Sequence, residues 1–282
     1  MAGKFARSLS LVKASAAVLQ SDKELLVFPL VSMLAVILVV ATFMVPIFGF
    51  GLYNHMGAGD PMRPALYIYS FLFYFVQYIV IFFCNTALVG AAMIRLDGGN
   101  PTVADGFGIA RSKLLPIVGY AAIAATVGMV LRSLEQRAGF IGRIVIGLIG
   151  AAWTVATFMV VPVLVSSDVG PVEAIKESAS MLKNTWGENL IGNGGIGFVF
   201  GLVTLAVMLV GGGLTMVSAT NGMVPVAVVL GGITVLAVLA IALVQSALAG
   251  IYSAALYRYA TDGQAPAGFD GDVLQNAFRI KA

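Results

Sequence analysis

Six long apolar runs organise the chain, at about 27–50, 66–94, 114–134, 143–165, 190–212 and 225–258. An α-helix needs roughly 20 mainly apolar residues to cross the hydrocarbon of a bilayer, and each run supplies about that many. The polar interruptions share a pattern. The second run is followed by DGGNPTVADGFGIARSKLL, the fourth by DVGPVEAIKESASMLKNTW and the sixth by DGQAPAGFDGDVLQNAFRI. Each begins with Asp, passes through small or polar residues to a Pro and continues as a short amphipathic segment. Pro suits the first helical turn, where its missing N–H would be unpaired in any case. The preceding Asp and Gly suit the turn off the end of a span.

Spacing supports the amphipathic reading. Val103, Phe107, Ala110 and Leu114 recur at helical intervals, as do Val172, Ile175, Ala179, Leu182 and Trp186. Ahead of the first run, Phe5, Leu9, Val12, Ala16 and Leu19 do the same, and Phe269, Val273, Ala277 and Ile280 follow more loosely at the end. A stripe at this period is one face of a helix, with charged residues opposite. The pattern predicts an all-α polytopic membrane helix bundle of about six transmembrane helices. Residues 1–282 form a single integral membrane domain of three helix–span–span units (about 1–96, 97–167 and 168–261) and a closing interfacial helix over 262–282. Common loop design between spans, with a Pro and a short amphipathic helix, is the alternative to a true repeat. In SDKELLVFP, Ser21 and Glu24 have the spacing of a capping box at the start of the first span, or belong to a plain polar linker.

Charge then fixes a side. Only Arg63, Arg132, Arg137 and Arg143 among the 16 Lys and Arg lie on one side of the predicted membrane, and the others lie with the two termini. Cytoplasmic segments carry the excess of such residues, so both termini are expected in the cytoplasm, with the protein multi-pass in the inner (plasma) membrane of a bacterium. The composition agrees: 60% of residues are hydrophobic and 10% charged, where soluble domains carry about 25% charged residues. The net charge of +3 gives no nucleic-acid signal. The segment before the first run is longer than a signal-peptide n-region needs, and the run is too long for an h-region, so a retained span is expected. The single Cys84 excludes an internal disulfide and a cysteine metal cluster.

Candidate chemistry is sparse. GNGGIG at 192–197 has the letters of a dinucleotide fingerprint but opens a membrane span instead of following a strand. Gly197 and Gly201 read better as close helix packing, together with the stripe Ala242, Ser246, Gly250 and Ala254 in the last span, pairing with each other or with a second copy. The intramembrane polar groups Gln77, Asn85, Thr154 and Gln245 are mild, suited to interhelical hydrogen bonds or, for Gln77, Asn85 and Gln245, to lining a polar path. Pro162 could kink the fourth span or break it as in transporters. His55 is the only histidine and lies in a loop. No catalytic residue, metal site or cofactor is expected. Lys4, Arg7 and Lys13, with the apolar Phe5, Leu9 and Val12, form a candidate membrane-surface helix facing anionic headgroups. Glu173, Lys176, Glu177 and Lys183 make a mixed-charge face, either solvated or a docking surface.

The opening FARSLSLVKASAAVLQSDKELLVFPLVSMLAV, residues 5–36, resembles the start of a family of uncharacterised prokaryotic integral membrane proteins of about six spans. The loop GNPTVADGFGIA also resembles loops in a wider group of bacterial membrane domains, including the one attached to some glycerophosphodiester phosphodiesterases. That resemblance implies a membrane fold and a bacterial setting, and brings no activity, since the catalytic domain and its metal cluster are absent from this sequence. The expectation is a non-enzymatic membrane interaction, scaffold or accessory protein. Its partners would be membrane lipids, another integral membrane protein or itself, and not nucleic acid. The alternative is a transporter or channel for a small or lipidic substrate.

Overall fold

The computed structural model describes residues 2–49, 63–186 and 195–263, with 266 and 269. Side chains of these residues are described from Val12 onward, apart from those of Arg63, Pro64, 182–196 and Phe198. The side chains of Lys4, Phe5, Arg7 and Leu9, the His55 loop, most of GNGGIG and nearly all of the closing segment 262–282 lie outside the described residues.

Among the described residues all regular structure is helical. Helix α1 (Ala2–Ser21) leads through a 3-10 turn (Lys23–Leu26) into α2 (Val27–Gly49). There follow α3 (Arg63–Leu96), α4 (Val103–Ser112), α5 (Leu114–Arg137), α6 (Phe140–Ala156), α7 (Val160–Ser166), α8 (Pro171–Trp186), α9 (Gly195–Thr220) and α10 (Val224–Asp262). Six segments are long and apolar enough to cross a membrane: Lys23–Gly49, Ala65–Leu96, Leu114–Arg137, Phe140–Ser166, Val199–Thr220 and Val224–Asp262. This suggests a multi-pass membrane protein.

One boundary differs from expectation, for a local reason. The fifth span ends at Thr220, not near residue 212. The glycines at 211–213 stay helical because Thr215 Oγ1 bonds back to the Gly211 carbonyl at 2.7 Å and Gly211 is covered by Thr234 of α10. The sixth span does not break at Gly231 and Gly232. Helix α10 is continuous, and Gly231 instead admits Thr215 Cγ2 of α9, 3.5 Å from where its Cβ would stand. Two Gly–Thr contacts thus seat one arm of the α9–α10 hairpin on the other.

The fourth span is broken. Helix α6 stops at Ala156 and α7 starts at Val160. Pro162 has no N–H to offer the carbonyl four residues back, at Phe158, so a continuous helix would lose that bond. Non-helical backbone at membrane depth needs partners from protein. They come from Ser178 of α8, whose Oγ donates to Ala156 O at 2.7 Å and accepts from Met159 N at 3.1 Å. Helix α8 therefore docks its small face, Ala174 and Ser178, on the break, while Val172 of the expected apolar stripe is exposed.

The other short helices also press on protein. Helix α4 buries Gly106 and Ala110, and its Phe107 ring meets Phe28 at 5.2 Å, edge to face. A side chain at Gly106 would collide with Phe28. Helix α1 buries Ser15, Val18 and Leu19 and lies against α9 and α10. The short helices thus pack on the bundle, where their small residues allow close approach.

The caps differ as well. Ser21 and Glu24 form no box. Asp22 Oδ1 accepts from Glu24 N at 3.2 Å, Ser21 Oγ donates to Val18 O, and Glu24 reaches across to accept from Val103 N at 3.1 Å. The capping box forms at α4, where Thr102 Oγ1 accepts from Asp105 N at 3.2 Å and Asp105 Oδ2 accepts from Thr102 N at 2.8 Å. The two hydrogen bonds from Thr102, backbone first, hold the Asp105 carboxyl below its usual range.

The buried core gathers at the end of the bundle where α3, α7 and α10 finish and α2 and α5 begin. It includes Leu25, Phe28, Leu88, Tyr120, Met159, Leu164, Leu248 and Leu256. Toward the other end large apolar side chains face outward, such as Phe140 at 81% exposure and Met216 at 70%. Lipid solvates apolar side chains as well as protein does, so this end loses little by leaving them uncovered.

Candidate functional site

Three helices converge below this core and leave a cleft of about 230 Å³. Helix α2 contributes Phe28, Pro29 and Ser32; α3 contributes Ile81, Cys84, Asn85 and Leu88; α10 contributes Ser246, Ala249, Gly250 and Ser253. Within each helix these residues recur at three- and four-residue steps, so each helix turns one face inward. Phe158, from the break in the fourth span, closes one wall and meets the Tyr252 ring at 6.3 Å.

Gly250 sets the geometry. A Cβ there would strike Leu88 and stand 3.6 Å from Asn85 Oδ1. The absent side chain lets α10 approach α3 and leaves the Asn85 amide at the cleft wall. Along α10, Ser253 lies nine residues and Ser246 sixteen residues from Asp262. At 1.5 Å per residue these are distances of about 13 and 24 Å from the helix end, which places the polar groups of the cleft inside the long apolar segment Val224–Asp262.

None of the twelve lining residues is charged. The nearest charges beyond Ser253 sit at the bundle end. Arg258 pairs with Asp97 and with Asp262 at 3.4 Å, and Lys113 pairs with Asp168 at 3.0 Å. The three Asp that follow the even-numbered spans thus each hold a cation. Arg95 donates to Gly99 O at 3.2 Å and Ser21 Oγ at 3.3 Å, tying the end of α3 to that of α1.

The residues singled out from sequence are distributed unevenly around this site. Asn85, Ser246 and Gly250 line the cleft, and Ala254 is buried one turn beyond it. Gln77 and Gln245 are half-buried and do not line it, and Ala242 is exposed. Gly197 and Gly201 face open space among the described residues. Thr154 bonds the carbonyl of Gly150 on its own helix at 3.0 Å. Val12 is half-buried against the core and Lys13 is exposed. Sequence reading missed Ser32, Ser253 and Cys84 as lining residues. Ser253 continues the small-residue stripe of α10 by one step, a signal that was present; Ser32, alone in an apolar run, has none.

Among the described residues no three His, Cys, Asp or Glu come together as a metal site would require. No curated protein and no solved structure matches the chain. Nothing links it to a glycerophosphodiester phosphodiesterase. Residues 64–269, from the start of α3 to the described Phe269, match a family of unknown function, DUF6159, and the protein belongs to that family.

Proposed function

We propose that this is a non-enzymatic accessory protein of a bacterial inner membrane that holds a lipid within its own bundle. Both termini face the cytoplasm, and the three helix–span–span units derive from a repeat. The observation that carries the reading is the uncharged cleft at the meeting of α2, α3 and α10, with an amide and hydroxyls inside long apolar helices and Ser246 exposed at its edge. Polar groups in a membrane interior are costly unless partnered, and a lipid head supplies partners. At the cytoplasmic surface the first half of α1, with Lys4, Arg7 and Lys13, meets anionic headgroups, and a second membrane protein or a second copy docks on the exposed spans.

The test is native mass spectrometry of the full chain released gently from its own membrane. One retained lipid per chain, lost on substitution Ala249→Leu at the cleft wall, is the expected result. A lipid-free chain tightly bound to another protein would overturn lipid holding and leave a scaffold. A transporter is the second reading, favoured by one observation: the broken fourth span presents Phe158 to the cleft, and discontinuous helices border substrate sites in many transporters. Lipid or solute flux into proteoliposomes containing the purified chain would decide for it.

A further inference from the structure

We infer that the cleft selects an uncharged lipid, one whose head carries hydroxyl or ester oxygens, over lipids with an ionised phosphate. The inference rests on the lipid-holding reading above and narrows it to a ligand class. Its basis is the chemistry of the cleft wall. The Ser253 hydroxyl is already spent on Gly250 O at 2.9 Å. Among the described residues the Asn85 amide and the Ser246 hydroxyl make no hydrogen bond within the chain. An amide offers two donors and an acceptor, and a hydroxyl offers one donor and an acceptor, which suits alcohol and ester oxygens.

A phosphate would enter this wall without a counter-charge, since none of the lining residues is a cation. Burying an unpaired charge is far costlier than burying a hydrogen-bonded hydroxyl. The closest cation along α10, Arg258, is already held by the carboxylates of Asp97 and Asp262, so that cluster does not recruit an anion. The volume agrees. A space of about 230 Å³ has room for a glycerol-sized head. The tail leaves past Ser246 into the bilayer.

The experiment uses the full chain in liposomes with two photoreactive probes of identical acyl chains, a diacylglycerol and a phosphatidic acid. The diacylglycerol should label peptides spanning 28–32, 81–88 and 246–253 several-fold more than the phosphatidic acid does. Substitutions Ala249→Leu, which adds bulk at the cleft wall, and Asn85→Leu, which removes the amide and leaves the helix contact, should each reduce that labelling several-fold. If phosphatidic acid labels the cleft equally or better, the uncharged class is wrong and lipid holding stands. If neither probe labels the cleft above the outward-facing Val228–Leu236 stretch of α10, both readings fall. If Asn85→Leu melts like the native chain and labels like it, the amide does not recognise the head.

Discussion

Ser178 shows how much a single hydroxyl does here. Its Oγ serves both backbone groups freed at the break between α6 and α7. Replacing it by Ala leaves a buried N–H and a carbonyl unpartnered, at a cost of about 1–3 kcal/mol. Ser178→Ala should therefore melt earlier in detergent and exchange faster at the amides of 157–160; unchanged melting would mean that water or another group fills the role. Asp105 is a second case, outside the membrane. Its carboxyl is held below the usual range by Thr102, so the capping box contributes fully above the ordinary carboxylate pKa, about 3.9. That contribution is lost as pH falls through the lower folded value. Amides in the first turn of α4 should be protected at neutral pH and lose protection in acid. In Asp105→Ala they should be less protected throughout, with no acid step.

At the scale of elements, glycine placement decides which helices meet. Gly211 lies under Thr234 and Gly201 faces open space. Gly211→Leu should part the α9–α10 hairpin and cost about 1–3 kcal/mol as an overpacking change, while Gly201→Leu should leave the melting temperature unchanged. The contrast also explains what the sequence could reveal. Spans were legible because twenty apolar residues commit locally to the bilayer. The break was legible in part, through Pro162. Which glycine meets a neighbour was not legible, since Gly197–Gly201 and Gly211 carry the same local signal and only the partner helix separates them. The same holds for capping: Ser21 with Glu24 and Thr102 with Asp105 share a spacing, but Glu24 is drawn away to Val103. Of the cleft, the α3 and α10 walls left traces as Asn85, Ser246 and Gly250, whereas the α2 wall at Ser32 left none.

The whole molecule is held at one end. The aromatic contact of Phe28 with Phe107, the stack of Tyr120 on Phe82 at 4.4 Å and the seating of Gly250 on Leu88 all lie there. The ion pairs stand at the same end, and Arg258 joins the Asp after the second span to the Asp that ends the sixth. These carboxylates are half exposed, so the cluster is worth about 1 kcal/mol or less. Arg258→Gln should lower the melting temperature slightly in dilute buffer, and the difference should shrink in high salt. A deficit unaffected by salt would show that the guanidinium acts by packing instead.

The stitching of the fourth span by α8 also has a consequence for the order of biogenesis. The bond from Met159 N goes to a residue 19 positions later in the chain. A ribosome that has delivered the fourth span has not yet delivered Ser178. During that interval the bend either stays in an aqueous or translocon environment or forgoes two hydrogen bonds in lipid, each worth several kcal/mol there. Arrested nascent chains long enough to bring residue 166, but not Ser178, clear of the ribosome should therefore leave the region around Thr157 accessible to a water-soluble thiol reagent through an introduced cysteine. Chains long enough to bring residues 171–186 clear of the ribosome should protect it.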